Sequence, residues 1–357
     1  MSTFTLVPQA SDALPSLNGS NAVGIDTEFM RERTFFAELC LLQLAAGETL
    51  LCVDPLLNDN QEPLWQRLAE LEWIVHSARQ DLEVIYQTAG ILPRALFDTQ
   101  VAAGLAGHQP QIGYAGLVKL LFDVELPKTH TRANWAKRPL QDHLLEYAAE
   151  DVEYLLPARE RLAETLDRTG RLEWAIEDSA LLLDKTLYTA APETAVDRLK
   201  GARSFRGRRR NAAALLASWR EQRAIDRNKP RQWILKDSVL LDIAYKLPDT
   251  VQQLKTIADL PPGVLKRSAD ELLSLVSRSE RDDGGYQPPG MPDEAQKALL
   301  KSMQSRVAAV AKDLGLANEV VASKKELSAA VLANEFNSRV FRSWRKPLIG
   351  DELLALL

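Results

Sequence analysis

Every strand-like run in this 357-residue chain falls before residue 98, and the pattern that follows is helical to the end. Ala22–Phe29, Glu38–Ala45 and Thr49–Val53 are short apolar runs separated by tight turns, which predicts a three-stranded meander. Two further runs, Trp73–His76 and Ala95–Phe97, alternate with helical spacing over Pro63–Glu70, Arg79–Thr88 and Gln100–Gly107. A mixed sheet flanked by helices, an α/β arrangement, is therefore expected in this part of the chain. Helical spacing resumes over Tyr114–Leu121 and from Gln141 to about Leu166, where Pro157 is expected to kink or interrupt the helix. The chain is too long for one compact core, so two or three domains are expected.

Four carboxylates and a tyrosine sit at the ends of these elements. Asp26 and Glu28 are two apart in a strand pattern, so both side chains leave one face of the pleat. Asp81 opens the helix after the fourth strand run. Tyr147 and Asp151 are four apart in a helical pattern, which stacks a phenol one turn from a carboxylate. Taken singly, the residues have ordinary explanations: a solvated strand end for the pair, a first-turn acid for Asp81, a helix surface charge for Asp151 and a core position for Tyr147. Taken together, the acids repel one another unless cations neutralise them. Magnesium or manganese suits such an oxygen-only set, and two ions roughly 3.5–4 Å apart serve in-line displacement at phosphorus. Tyr147 is then placed to orient the attacking water or to help take its proton. Asp98, just before Thr99-Gln100-Val101, is read as a helix cap and not as a fifth ligand.

The local sequences add a resemblance. Asp26-Thr27-Glu28-Phe29, with Arg31 to Phe36 and Leu41-Leu42-Gln43-Leu44, resembles the first motif of the DEDD 3′→5′ exonucleases in their ribonuclease D form. His76 to Asp81 with Leu82-Glu83-Val84 resembles the second motif, and Tyr147 to Asp151 with Tyr154-Leu155-Leu156-Pro157 the third. Tyrosine four residues before the last aspartate, with Glu146 where a histidine would stand, indicates the tyrosine subclass. Gly113 to Leu117 and Arg132 to Leu140 are also similar to that family, with Asn134 where aspartate is usual. The resemblance implies a ribonuclease H-like exonuclease domain. Asp26, Glu28, Asp81 and Asp151 would bind two divalent ions and Tyr147 would position the water. It implies stepwise removal of nucleotides from RNA 3′ ends as nucleoside 5′-monophosphates, with transfer RNA precursors as the expected partners. Two other readings stay open: a DNA exonuclease of the same superfamily, because four carboxylates do not read a 2′-hydroxyl, and an inactive RNA-binding scaffold.

The chain carries a net charge of −5, yet residues 198 to 231 hold twelve basic residues and two acids. Positive charge concentrated in an acidic protein is a footprint for nucleic acid or, alternatively, a solvated linker. Arg203, Arg206, Arg208, Arg209 and Arg210 are the candidate RNA contacts, with Phe205 as a base-stacking residue. The helical pattern beyond resembles the HRDC domain shared by helicases and ribonuclease D, and Ala295–Leu357 resembles a diverged second copy. The expected division is an exonuclease domain over 1–193, a basic linker over 194–210, a first HRDC domain over 211–282, a linker over 283–293 and a second HRDC-like domain over 294–357. Ser268 with Glu271 and Ser323 with Glu326 read as capping boxes. Trp219, Trp233 and Trp344 read as core, and Cys40 and Cys52 as buried free thiols. No histidine or cysteine cluster has zinc spacing, and His76 is read as a core or hydrogen-bonding residue as much as one lining the site. No phosphate-cradling or dinucleotide fingerprint occurs, so no nucleotide cofactor is expected. Neither a signal segment nor a membrane span is evident, and the expected compartment is the cytoplasm.

Overall fold

The computed structural model describes residues 4–7, 9–57, 60–127, 133–280 and 290–357. His130, Arg132 and most of the expected linker, residues 283–289, lie outside them. By packing, the chain divides into two compact units, one of Met1–Met30, Glu38–Tyr188 and Gly290–Leu357, the other of Arg31–Ala37 and Thr189–Pro289.

The first unit is built on six strands: β1 (Phe4–Val7), β2 (Ala22–Met30), β3 (Glu38–Ala46), β4 (Thr49–Val53), β5 (Glu72–Val75) and β6 (Ala95–Asp98). Their order in the sheet is β1-β4-β3-β2-β5-β6. β2, β3 and β4 form the expected antiparallel meander, while β5 joins β2, β6 joins β5 and β1 joins β4 in parallel. β1 carries no sequence signal of its own: in Phe4-Thr5-Leu6-Val7 only Val7 is buried. β3 is buried at every position after Glu38, as a central strand covered on both faces must be.

Helices cover the sheet: α1 (Leu14–Leu17), α2 (Glu62–Ala69), α3 (Arg79–Ala89), α4 (Thr99–Leu105), α5 (Tyr114–Phe122), α6 (Asp142–Glu153), α7 (Leu155–Arg168) and α8 (Leu172–Ala180). The helix expected from Gln141 onward is interrupted, but the break comes at Tyr154 and not at Pro157. Pro157 thus sits in the first turn of α7, where its missing N–H costs nothing. α7 lies close on β2 because Gly24 has no side chain. A Cβ built there would meet Ala45 Cβ at 3.0 Å and Leu155 Cβ at 3.2 Å.

The second unit holds α9 (Gly207–Asp226), α10 (Arg231–Ile234), α11 (Asp237–Lys246), α12 (Val251–Leu254) and α13 (Pro262–Arg278). Three expectations fail here. The span read as a basic linker is folded: 3-10 turns over Pro192–Arg198 and Lys200–Ser204 bury Ala195, Val196, Leu199 and Ala202 in the core of this unit. The Ser268 capping box does not form either, because Pro262 starts the helix six residues earlier and Ser268 is buried inside it. Trp233 is 60 % exposed and not core, since the four-residue α10 buries only Ile234. Asn228 Oδ1 accepts the backbone N–H groups of Phe35 and Phe36 at 3.0 and 3.1 Å, which fastens residues 31–37 to this unit.

The C-terminal helices α14 (Glu294–Leu314), α15 (Asn318–Val321), α16 (Lys324–Ala333) and α17 (Asp351–Leu354) share one core with the sheet-bearing unit instead of standing apart. Trp344 stacks on Trp174 with ring centres 4.2 Å apart. Arg345, 1 % exposed, spans both oxygens of Asp178 at 2.5 and 2.6 Å and donates further to the Val320 and Val321 carbonyls. The Ser323–Glu326 capping box is present, and Asp293 with Gln296 forms another that opens α14. Cys40 and Cys52 are free and buried, and Trp219 and Trp344 are core. Among the described residues no helix is long and apolar enough to cross a membrane.

Gly24→Ala should destabilise the protein by about 1–3 kcal/mol, the usual cost of forcing a methyl into a packed contact. A lowered urea midpoint at unchanged slope is the expected result, and an unchanged midpoint would mean that α7 gives way at no cost.

Candidate active site

β2 presents Asp26 and Glu28 from the stretch that lies beyond its pairing with β5, which ends at Gly24. The register opposes Asp26 to Gln43 and Glu28 to Leu41, and the only irregularity comes after Glu28, so both carboxylates keep one face. The chain leaves β5 through Ser77, whose φ of 61° is left-handed, and enters α3 with Asp81 in its first turn. Asp98 shapes that turn. Its carboxylate accepts the N–H groups of Ser77 at 3.1 Å and Ala78 at 2.9 Å, and caps α4 by accepting those of Gln100 and Val101. Its capping role is as expected, while its hold on the turn that presents Asp81 was not visible in the sequence.

Asp81 is 7 % exposed, and its Oδ1 accepts the Thr27 hydroxyl at 2.6 Å. The residue between Asp26 and Glu28 therefore ties the third acid to the same strand. α6 supplies the remaining pair, with Tyr147 hydrogen-bonded to Asp151 one turn later. Trp135 packs near the Tyr147 ring, centres 6.3 Å apart. Asn134 makes a turn there, its Oδ1 accepting the Ala136 N–H at 3.2 Å, a bond that aspartate would make equally well.

The electrostatics show these groups to be neighbours. Burial, and then the charges of Asp81, Asp151 and Glu28, push the Asp26 carboxyl well above the usual range. Glu28 rises to about 8 through burial and then Asp151 and Asp81. Burial lifts Asp151 to about 7 and Asp81 to about 6, against the lowering effects of Tyr147 and Thr27 respectively. Tyr147 itself is held above the ordinary phenol value by burial, Asp151 and Glu28, so it keeps its proton. The structure thus brings together all five residues expected from the sequence.

Two more residues belong to this neighbourhood. Tyr114 donates its hydroxyl to the Glu150 carbonyl at 3.3 Å and accepts the Tyr154 N–H at 2.9 Å, which fixes the end of α6 beside Asp151. Burial raises its pKa, with smaller contributions from Asp151 and Asp26. Gln43, cross-strand from Asp26, is fully buried, and neither its amide oxygen nor its nitrogen has a hydrogen-bond partner among the described residues. His76 is a structural hydrogen-bonder, with Nδ1 2.9 Å from Thr99 Oγ1 and Nε2 2.9 Å from the Ile112 carbonyl.

The donor set is chemically right for hard cations, being four carboxylates, with the charge of Asp81 raising each of the other three, together with an unsatisfied amide beside them. Among the described residues no three His, Cys, Asp or Glu side chains close up into a ready ligand shell. Asp81 and Asp151 are each turned onto a hydroxyl, of Thr27 and Tyr147 respectively.

The basic segment lies in the second unit. Arg208 pairs with Glu280 at 2.7 Å, Arg209 lies 4.0 Å above the Tyr245 ring, and Arg206 donates to the Arg203 and Phe205 carbonyls. Phe205 is half-buried against the unit's core, and Arg210 is likewise half-buried. Arg203, Arg206 and Arg209 are exposed.

A sequence profile described as 3′-5′ exonuclease matches residues 2–167, and one described as HRDC domain matches residues 209–276. Ribonuclease D of Gluconacetobacter diazotrophicus is 38 % identical over 346 residues, covering 94 % of this chain and 87 % of that one. The chain belongs to the ribonuclease D family. Ribonuclease D of a Jannaschia species agrees at 36 % identity over 94 % of this chain and 89 % of its own. The crystal structure of Escherichia coli RNase D superposes with a TM-score of 0.89 at 28 % identity, covering 99 % of this chain and 98 % of that one. The protein is accordingly a 3′→5′ exoribonuclease of a metal-dependent family, with a mixed-sheet exonuclease domain and an HRDC domain.

The raised carboxyls give metal-free protein a definite pH dependence. Each holds its proton in the fold to a higher pH than in the unfolded chain, so its contribution is full below about pH 4 and is lost as pH rises towards about 8. In chelator, the melting temperature should fall between pH 5 and pH 8 more steeply for the native protein than for Asp151→Asn, which removes one titrating group and relieves its neighbours. Parallel melting curves would show that these groups do not share a field.

Proposed function

We propose that Asp26, Glu28, Asp81 and Asp151 hold two divalent ions, magnesium or manganese, and that Tyr147 orients the water that attacks the last phosphodiester bond of an RNA strand. The observation carrying this reading is that, after burial, the charge of Asp81 on one helix raises Asp26 and Glu28 on the strand and Asp151 on another helix. When bound, such ions activate water and stabilise the leaving oxygen. Tyr147, protonated and bonded to Asp151, offers a hydroxyl for orienting water and is unsuited to act as a phenolate base. Thr27, Asp98 and Tyr114 hold the acids in place through the bonds described above.

The products of this reaction are nucleoside 5′-monophosphates, released one at a time, and the proposed substrates include transfer RNA precursors. The E. coli relative is described as an exoribonuclease involved in structured RNA processing, which supports that choice. Exposed Arg203, Arg206 and Arg209, with Arg208, Arg210 and Phe205 beside them, are the proposed phosphate and base contacts. We also propose that residues 294–357 are a diverged second HRDC-type module following the exonuclease and first HRDC domains. The order of long, four-residue and ten-residue helices in α14, α15 and α16 repeats that of α9, α10 and α11. The cytoplasm is the proposed compartment, where two buried, unpaired thiols are the ordinary state.

Matched 3′-labelled and 5′-labelled RNA and DNA oligonucleotides, incubated with and without magnesium or manganese, test the whole reading. Metal-dependent stepwise shortening of RNA from its 3′ end is expected, and a preference for DNA would contradict it. Asp26→Asn and Asp151→Asn should each lower turnover by more than roughly 100-fold while leaving the metal-free fold intact or slightly more stable. Near-normal turnover would remove that residue from the site. Tyr147→Phe should slow the chemical step by roughly 100-fold or more with metal and RNA affinities nearly unchanged. Loss of metal binding instead would make Tyr147 a structural support.

A further inference from the structure

The second unit contains a cavity of about 320 Å³ whose lining includes Arg31, Glu32, Phe35, Arg198, Arg220 and Arg231. Its size is that of a small-ligand pocket. Four guanidiniums around one cavity are costly to hold together, and neighbouring acids offset part of that cost. Glu221, 2 % exposed, takes Arg198 at 3.1 Å and also pairs with Arg231, while Asp237 takes Arg220 at 2.5 Å. With Glu32 counted as well, four positive charges face three negative ones, and the cavity keeps a positive excess.

Arg220 lines the cavity and is 3 % exposed, with its Nη1 bonded to Asp237 and to the Leu235 carbonyl. Planar guanidinium donors with a net positive field suit a phosphate better than any neutral ligand. Phe35 adds an apolar wall, with the Arg231 guanidinium 4.5 Å from its ring centre. Phosphate recognition beside an aromatic surface is what a nucleotide requires. Only two residues of sequence separate Glu28 from Arg31, and residues 31–37 form the connection from the strand bearing Asp26 and Glu28 to the next strand.

We propose that this cavity binds a phosphate-bearing nucleotide through Arg31, Arg198 and Arg220, with Phe35 against the base. The ligand is either a nucleotide of the bound RNA other than the one being cleaved, or the released nucleoside 5′-monophosphate. This assignment rests on the chain's being an exoribonuclease, and it accounts for a set of arginines that the reaction itself does not use.

The test is binding by the full chain in chelator, with adenosine 5′-monophosphate, adenosine and a 12-nucleotide single-stranded RNA as probes. Arg198→Gln should weaken the phosphate-bearing probe about fivefold and Glu32→Gln should tighten it, because one removes a positive and the other a negative charge from the same cavity. Adenosine should respond to neither. If the ligand is RNA, Arg198→Gln also lowers the slope of log affinity against log salt for the 12-mer by about 0.7. If it is the product, the mononucleotide responds and the 12-mer does not. Arg31→Gln, at an exposed side chain, repeats the measurement should Arg198→Gln fail to fold. Shifts of the same sign in the arginine and glutamate variants, or no shift with any probe, overturn the proposal. Since binding is read without metal, a failure of 3′ trimming with these shifts intact would count against the catalytic reading alone.

Discussion

Four carboxyls placed where they repel one another are the constraint on which this structure turns. No single element could hold them: β2 contributes two, and the first turn of α3 and the last turn of α6 one each. Unneutralised, such a set opposes folding, and the fold answers with protons and hydroxyls. Thr27 donates to Asp81 and Tyr147 to Asp151, while the raised pKa values show protons retained on the most crowded groups. A central strand paired on one side by β3 and released by β5 after Gly24 gives the acids an opening beyond the carboxyl end of β5, the usual position for ligands in α/β folds.

Rigidity around that opening comes from polar groups that are fully used. Asp98 receives four backbone N–H groups and so fixes the β5–α3 turn together with the start of α4. Tyr114 bridges the end of α6 and the start of α7. Farther away, the buried Arg345–Asp178 pair is satisfied at both carboxylate oxygens and by two carbonyls, which is the condition under which a buried ion pair is tolerated. It joins the C-terminal helices to α8. Removal of residues 294–357 would therefore expose core of the sheet-bearing unit instead of merely trimming an appendage.

The sequence revealed what depends on local pattern. Spacing put Asp26 with Glu28 on one face and Tyr147 with Asp151 on one helix side, and Ser323 with Glu326 forms the capping box its spacing suggests. What it hid depends on tertiary context. Phe4–Val7 is too short and too exposed to read as a strand until β4 pairs with it. The arginine-rich span before α9 looked like a linker because its small apolar residues are sparse, yet they are buried, and several arginines from Arg198 to Arg231 are neutralised by acids distant in sequence. Gln43 sits in an apolar run that reads as plain core, and only the strand register places it opposite Asp26.

The central claim is that these carboxyls are a binding site for a pair of ions, and counting the ions tests it most directly. Electron paramagnetic resonance of the full-length protein titrated with manganese(II) reports both the number bound and whether they lie close enough to couple. The account predicts two manganese ions per chain with a spin-coupled spectrum. A single uncoupled ion at saturation, or none, would contradict it.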